Sequence, residues 1–208
     1  MNNLILNKTI DIKYKGKRDY VYASDLFSLI ICELRDYGIK EIENLDYSIH
    51  KLMKNKVSFS LFCLDEISQI NTQADARLDF YSEGVGYVVF LQENKLKIEH
   101  STNYDEEAIF MNASLNKEQQ NITLNGSHFK YSNLDIFTSL NKRLLTEVRS
   151  DIHGKWVSVR LQIKTLDNLL AECEKYKVQL VKVFSNKYTK SELYNDEEKI
   201  GNLFFSII

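Results

Sequence analysis

The chain has no proline, and among its 208 residues are seven glycines, one tryptophan and three cysteines. Without proline, the turns must be made by Gly, Asn and Asp, which tolerate the backbone conformations of tight turns. The three cysteines, Cys32, Cys63 and Cys173, have no metal-type spacing, and their odd number favours reduced thiols over a disulfide framework. Cys32 and Cys63 lie in apolar runs, so we expect both to be buried as small hydrophobic residues.

A basic excess, a long apolar run and an export signal are also missing. The formal net charge of −2 argues against a nucleic-acid binder, which usually carries a basic face. No apolar run approaches the ~18 residues that span a bilayer, so no membrane segment is expected. The opening residues, MNNLILNKTIDIKYKGK, lack a basic segment followed by an apolar one, which predicts a cytoplasmic protein. The composition, 44% hydrophobic and 27% charged, is that of a globular protein.

The first half of the chain predicts a strand, a helix and further strands. Residues 24–37 have the helical pattern, with Ser24 as N-cap, Asp25 in the first turn and Gly38 as the stop. Its apolar positions cover most of the circumference, so protein should surround it. The other predicted elements are a strand over 4–14, a short helix or ordered loop over 40–54, a strand over 57–62, a hairpin of 76–82 with 85–92, and a turn at Glu93-Asn94 before another strand.

The second half repeats this layout, which predicts an internal duplication. Segment 121–126 corresponds to 11–16, and the helical pattern over 134–148 corresponds to 24–38, both at an offset of 110. Strand 156–163 corresponds to 56–63 at an offset of 100, and strands at 177–185, 187–195 and 199–208 complete the repeat. We therefore predict two α+β domains, residues 1–115 and 116–208. In each, antiparallel strands wrap an apolar helix.

The order of strand, central apolar helix and antiparallel strands resembles the hotdog fold. The duplication would make a double hotdog, one chain imitating the usual dimer. The C-terminal run VRLQIKTLDNLLAECEKYKVQLVKVFSNKYTKSELYNDEEKIGNLFFSII is similar to the second part of a hotdog unit. This resemblance implies an enzyme that processes an acyl thioester carried on the phosphopantetheine of acyl carrier protein or on coenzyme A, without a further cofactor.

The His128-Phe129 pair makes the resemblance more specific. In β-hydroxyacyl-thioester dehydratases of this superfamily, a His-Phe pair precedes the central helix and the histidine acts at the acyl chain. Lys130-Tyr131 and Leu134-Asp135 stand where the family has Pro-Gly motifs, and the family's acid falls on Lys142. The resemblance therefore makes Glu33 of the other half the candidate acid, with His128 as the base. Arg18 occupies the position of the histidine in the first half.

A second chemistry is implied by Asp25 and Asp135. Hotdog thioesterases resemble this chain in placing an acidic residue near the start of the central helix, as general base or nucleophile for hydrolysis. An Asp in a first helical turn also stabilises the helix dipole without any catalysis, by ~0.3–1 kcal/mol. Lys17, Arg18 and Arg143 are candidates for holding a phosphate of phosphopantetheine or coenzyme A, although such residues are usually solvated surface charge.

Dehydration or a related lyase step is the first expectation, hydrolysis the second and acyl transfer the third. The alternative from a different class is a non-catalytic hotdog that binds or assembles with a partner after losing the catalytic residues. No histidine has a partner at the spacing of metal ligands, so no metal site is predicted. Exposed sheet edges make a homodimer compatible with the pattern.

Overall fold

A computed structural model of the chain describes residues 3–64, 73–126 and 130–208. The chain divides into two compact units, residues 1–104 and 105–208. The join therefore precedes position 115, where the sequence pattern placed it. The segment between contains the short helix α2 (Glu107–Phe110) and strand β8 (Ala113–Asn116), which pack against elements of the second unit.

The first unit consists of one long helix and an antiparallel sheet. Its elements are β1 (Asn3–Ile10), β2 (Tyr14–Lys15), α1 (Ala23–Asp36), β3 (Glu43–Ile49), β4 (Asn55–Leu64), β5 (Ala76–Ser82), β6 (Val85–Lys97) and β7 (Ser101–Thr102). The sheet order is β1-β4-β6-β5-β3, and every neighbouring pair is antiparallel. Strands β2 and β7 form a separate parallel pair.

Helix α1 confirms the helix predicted over 24–37. After it, Gly38 adopts a φ of +100°, and its amide donates to the Arg35 carbonyl oxygen at 2.9 Å. The Ile39 amide donates to the Leu34 carbonyl oxygen at 2.9 Å, so the last carbonyl groups of the helix are satisfied. Gly38 therefore ends the helix as predicted. The predicted N-cap is wrong, because Tyr22 holds that position and Ser24 is buried within the first turn.

Two further predictions for the first unit are wrong. Residues 40–54 contain strand β3 rather than a helix, because Leu45 and Tyr47 alternate into the core and the Tyr47 ring lies 5.6 Å from that of Phe27. The predicted turn at Glu93-Asn94 is instead an irregularity within β6, whose pairing with β4 runs from Leu64↔Gly86 to Val57↔Glu93 and resumes after a register shift at Asn55↔Lys97. The hairpin of β5 and β6 around Glu83-Gly84 is confirmed.

The second unit again surrounds one long helix with an antiparallel sheet. Besides α2 and β8, it contains β9 (Asn121–Asn125), α3 (Asn133–Val148), β10 (Trp156–Thr165), α4 (Leu166–Leu170), β11 (Lys175–Phe184), β12 (Tyr188–Asn195) and β13 (Glu198–Ile207). The sheet order is β8-β9-β11-β12-β13-β10, with antiparallel neighbours throughout. Helix α3 is buried along most of its length, as predicted for 134–148.

The two units repeat the same layout with one difference in strand order. In both, the strand before the helix lies next to the second strand after it: β1 beside β4, and β9 beside β11. The predicted match of 56–63 with 156–163 is therefore wrong, because 56–63 belongs to β4 whereas 156–163 belongs to β10, the first strand after its helix. The last strand of the five-stranded sheet in the first unit, β6, lies next to β4, whereas the last strand of the second unit, β13, lies next to β10.

The cysteines differ in exposure. Cys32, predicted to be buried, is exposed because it lies on the solvent face of α1 with Ser28 and Arg35. Cys63 is half-buried, and Cys173 is the buried one.

Candidate functional site

The N-terminus of α3 is held by its own N-cap and by hydrogen bonds to α4, to the residue after α4 and to β11. The Ser132 hydroxyl caps the helix by accepting a hydrogen bond from the Asp135 amide at 3.2 Å. Asn133 donates its side-chain amide to the carbonyl oxygens of Leu169 and Ala171, at 2.9 and 2.8 Å. The start of the helix is thus fixed against α4 and the residue that follows it.

Tyr176 on β11 adds a third attachment. Its hydroxyl donates to Asn133 Oδ1 at 2.8 Å, and its ring packs edge-on against Phe137 with centroids 5.4 Å apart. Burial raises the pKa of Tyr176, so the hydroxyl remains a donor at neutral pH. These contacts determine where the first turn of α3 places its side chains.

Asp135 lies in that first turn and is 6% exposed. Residues 135, 139 and 142 fall within about 60° of one another around a helix of 3.6 residues per turn, so Asp135, Ser139 and Lys142 form one stripe. Phe137 and Asn141 contact the sheet on the roughly opposite side of α3, through Tyr176 and Ser191. We call residues 135, 139 and 142 the α3 polar stripe.

Glu106, the residue before α2, completes this arrangement with a second carboxylate. Its Oε1 accepts a hydrogen bond from the Ser139 hydroxyl at 3.4 Å, and its Oε2 receives the Lys142 ammonium at 2.7 Å. The Ser139 side chain is fully buried, and the Glu106 side chain is 16% exposed. The α3 polar stripe therefore carries Asp135 at one end and a Glu106–Lys142 ion pair at the other.

The corresponding Asp of the first unit has different surroundings. Asp25 Oδ1 lies 2.6 Å from the Lys15 ammonium. Lys15 is buried, with its Nζ 5.1 Å from the ring centre of Tyr22 and 4.6 Å from that of Tyr104. The Arg18 guanidinium stacks on the same rings, 4.4 Å from Tyr22 and 5.2 Å from Tyr104. The carboxylate of Asp25 is thus neutralised by a cation of its own unit, beneath two aromatic rings.

The other predicted residues are distributed as follows. Glu33 forms a salt bridge with Lys8 of β1. Arg143 pairs with Glu147 at 2.8 Å, and its guanidinium lies 6.0 Å from the Phe110 ring centre. Lys17 is exposed in the turn before α1. His128 and Phe129 lie outside the described residues.

Sequence reasoning missed Lys15 and Glu106. Lys15 immediately precedes Gly16 and looks like a solvated turn residue in the sequence, but it packs against the Tyr22 and Tyr104 rings and binds Asp25. Glu106 lies 36 residues before Lys142, the residue to which it is paired. No periodicity links the two positions, so the sequence pattern gave no signal for this contact.

Within residues 3–64, 73–126 and 130–208, no helix is both long enough and apolar enough to cross a bilayer. In the same ranges, no three His, Cys, Asp or Glu side chains are grouped so that they could hold a metal ion.

Solved structures share this architecture over almost the whole chain. The dehydratase domain of PpsC from Mycobacterium tuberculosis, solved in complex with C12:1-CoA, aligns with a TM-score of 0.53 at 5% identity and covers 100% of this chain and 94% of its own. A protein assigned as thioesterase II, from Thermobifida fusca YX, aligns with a TM-score of 0.52 at 8% identity and covers 99% of this chain and 96% of its own.

These similarities establish the class of the fold, a double hotdog in which a strand–helix–antiparallel-strand unit occurs twice. The fold predicted from the sequence is therefore confirmed. No protein-family model matches the chain, and no curated protein matches it in sequence. With identities this low, the likeness defines the fold and not the chemistry.

Proposed function

We propose that this protein hydrolyses an acyl thioester, with Asp135 as the carboxylate that acts at the thioester group. The observation that carries the proposal is the position of Asp135, buried in the first turn of the capped helix α3, at the positive end of the helix dipole. The matching Asp25 is bound by the buried Lys15 beneath two aromatic rings, so the two aspartates have different surroundings.

The chemistry needs one carboxylate and hydrogen-bond donors. Asp135 accepts a proton from water while the water oxygen bonds to the thioester carbonyl carbon. The carbonyl electrons move to the oxygen, which the amides at the N-terminus of α3 stabilise. The carbon–sulfur bond then breaks, and the sulfur takes the proton from Asp135 as it leaves. A carboxylic acid and a free thiol are the products, and no further cofactor is required.

The fold supports an acyl-thioester substrate. The PpsC dehydratase domain is bound to C12:1-CoA and shares this architecture, as does the Thermobifida thioesterase II. We therefore take the substrate to be carried on coenzyme A or on the phosphopantetheine of an acyl carrier protein. Lys17, exposed ahead of α1, is our candidate for a contact with its phosphate. Arg18 and Arg143 are weaker candidates, because both already stack on aromatic rings.

Dehydration is the second candidate, and the His128-Phe129 pair favours it. His128 precedes Asp135 by seven residues in the connection from β9 to α3. In this reaction His128 removes the proton alpha to the thioester, Asp135 protonates the departing hydroxyl, and water and an enoyl thioester form. We assign the acid to Asp135 rather than Glu33, because Glu33 is paired with Lys8.

The test is a panel of acyl and 3-hydroxyacyl thioesters of coenzyme A and N-acetylcysteamine. Released thiol reports hydrolysis, and the ultraviolet absorbance of the conjugated product reports dehydration. Asp135→Asn should lower thiol release by about 10²-fold or more, and the matched variant Asp25→Asn should leave it within about threefold when assayed well below the melting temperature. If His128→Ala no longer forms the enoyl thioester but still releases thiol, then the enoyl thioester is formed by dehydration at His128.

Two outcomes count against the proposal. Equal loss of activity in Asp25→Asn and Asp135→Asn would remove the distinction between the two halves. If the unaltered protein neither binds nor turns over any thioester of the panel, the enzymatic function is ruled out. The alternative, a non-catalytic hotdog protein that binds or assembles with a partner, then stands.

A further inference from the structure

We propose that Glu106 is a positioning residue for Asp135, and that it acts through Lys142 and Ser139. Its catalytic meaning rests on the function proposed above. Its effect on the charge of Asp135, however, can be measured on the protein without any substrate. The geometry points to this role because a carboxylate from outside α3 contacts two members of the α3 polar stripe whose third member is Asp135.

The contacts give Glu106 one role at each of its two oxygens. Oε2 receives the Lys142 ammonium at 2.7 Å, and Oε1 accepts the Ser139 hydroxyl at 3.4 Å. Ser139 lies one turn after Asp135. Lys142 lies about 10 Å from Asp135 along the helix axis, at 1.5 Å per residue. Ser139 is fully buried, and the Lys142 and Glu106 side chains are 32% and 16% exposed. The charges are therefore only partly screened by water.

The Lys142 ammonium and the Glu106 carboxylate act on Asp135 with opposite charges. A cation at about 10 Å in an effective dielectric of about 20 changes the proton affinity of a carboxylate by about one pH unit. Glu106 cancels most of this field, because its carboxylate lies against the Lys142 ammonium. Without Glu106, Lys142 would favour the charged form of Asp135 and make it a weaker base. Without Lys142, the Glu106 carboxylate would favour the protonated form.

Of the other titratable groups near α3, most have contacts elsewhere or are exposed, and Tyr131 is half-buried. On α3 itself, Arg143 pairs with Glu147. Strand β9 contains no titratable residue. The groups on β11, with their contacts, are Lys175 with Glu197, Tyr176 with Asn133, Lys177 with the Tyr194 ring and Lys182 with the Phe184 ring. The remaining groups are Arg160, which lies against the Phe204 ring, and Lys164, Asp167, Glu107, Lys130 and Tyr131; His128 lies outside the described residues.

The experiment compares four variants: Glu106→Gln, Lys142→Met, the double variant Glu106→Gln/Lys142→Met, and Glu106→Asp. The Asp135 carboxylate is titrated by ¹³C NMR of aspartate-labelled protein, with its signal assigned from Asp135→Asn. We expect the titration midpoint of Asp135 to fall by about one unit in Glu106→Gln and to rise by a similar amount in Lys142→Met. In the double variant and in Glu106→Asp, the titration midpoint of Asp135 should lie within about 0.3 units of its value in the unaltered protein.

A merely structural role predicts a different pattern. Loss of packing would lower stability in both single variants and would move the midpoint in neither, or in the same direction in both. Either result overturns the proposal. Thermal melts accompany each titration, and if Glu106→Gln does not fold, Lys142→Met against the double variant still tests whether the Glu106 carboxylate acts on Asp135.

Turnover separates this inference from the proposed function. If thioesters are hydrolysed, the acid limb of the pH–rate profile should move with the NMR midpoint. The kcat of Glu106→Gln should fall roughly three- to tenfold with KM within about twofold. If the NMR pattern holds and no thioester turns over, the coupling of Glu106 to Asp135 stands and the hydrolytic function fails. If turnover occurs and depends on Asp135 but the NMR pattern is absent, the function stands and Glu106 has no positioning role.

Discussion

Lys15 and Asp25 form a salt bridge of 2.6 Å in which the lysine is 6% exposed. This salt bridge distinguishes Asp25 from Asp135, although the two aspartates occupy the same place in the two sequence repeats. A buried ammonium neutralises Asp25 and is itself covered by the Tyr22 and Tyr104 rings. The first unit thus uses its helix N-terminus for stability, whereas in the second Asp135 shares one helical stripe with Ser139 and Lys142, both of which Glu106 contacts.

Replacing Lys15 by Met tests this structural role. The substitution keeps the length of the side chain but removes the ammonium, and leaves the Asp25 carboxylate, 27% exposed, without that charge partner. We expect the free energy of unfolding to fall by about 2–4 kcal/mol in urea denaturation at pH 7.

The double variant Lys15→Met/Asp25→Asn is the control for that loss. It should recover at least half of the lost stability, because no charge remains to be compensated. A Lys15→Met variant within about 0.5 kcal/mol of the unaltered protein would mean that the salt bridge contributes nothing.

Two buried hydroxyls on β12 offer a matched comparison. Thr189 and Ser191 are both fully buried on the same face of the strand. Ser191 donates to Asn141 Oδ1 at 2.7 Å, whereas Thr189 Oγ1 has no hydrogen-bond partner in the part of the chain that the structure describes. Thr189→Val should therefore leave stability unchanged or raise it by about 1 kcal/mol, and Ser191→Ala should lower it by about 1–2 kcal/mol. A larger loss in Thr189→Val than in Ser191→Ala would contradict this assignment.

Glu93 predicts a pH dependence of stability. Its carboxylate accepts hydrogen bonds from the Lys51 ammonium at 2.7 Å, the Lys54 amide at 2.6 Å and the Asn55 amide at 2.9 Å. The hydrogen bond from Lys51, helped by those of the two amides, lowers the pKa of Glu93 from its ordinary value of 4.5. Because the folded-state pKa is lowered, the stabilisation is complete above the unfolded value and is lost as the pH falls through the folded value.

Glu93→Gln should therefore cost about 1–3 kcal/mol at pH 7. The gap between the two proteins should narrow as the pH falls below 4.5, the ordinary value of the group. The control is Glu197→Gln. The Glu197 side chain is 84% exposed, although it too pairs with a lysine, so its removal should change stability by less than about 0.5 kcal/mol. A gap for Glu93→Gln that stays constant down to acid pH would exclude the carboxylate as its cause.

Tyr176→Phe tests the hydroxyl that anchors the start of α3. The ring stays packed against Phe137, and the 2.8 Å bond to Asn133 Oδ1 is lost. We expect a global loss of about 1 kcal/mol, with faster amide hydrogen exchange concentrated in residues 133–137. Exchange that increases evenly over the second unit would show that the hydroxyl does not fix the helix N-terminus.

The elements with strong periodicity could be predicted from the sequence. Both long helices and the hairpin around Glu83-Gly84 follow from local apolar patterns and from glycine. Strand β3 could not be recognised, because the spacing of Ile42, Leu45 and Ile49 also fits a helix and the buried Tyr47 looks polar. The apolar pattern does not predict the strand order either. The pairing of strands depends on long-range contacts, which local periodicity does not encode.

The candidate site was predictable only in part. Asp135 was identified by its place in the first turn of an apolar helix. Lys142 was noted as a departure from the family, but its partner Glu106 was not, because the two meet only through the packing of α2 on α3. The difference between Asp25 and Asp135 likewise depends on the burial of Lys15, which no spacing rule would give.

The placement of β6 between β4 and β5 has a consequence for synthesis on the ribosome. In the second unit β11, β12 and β13 pair in the order in which they are made, so each strand finds its partner through a short loop. In the first unit, β4 and β5 are joined only when β6, residues 85–97, has been made between them. Until then one edge of β4 and one edge of β5 are open, and a nascent chain is exposed to wrong pairing at these edges.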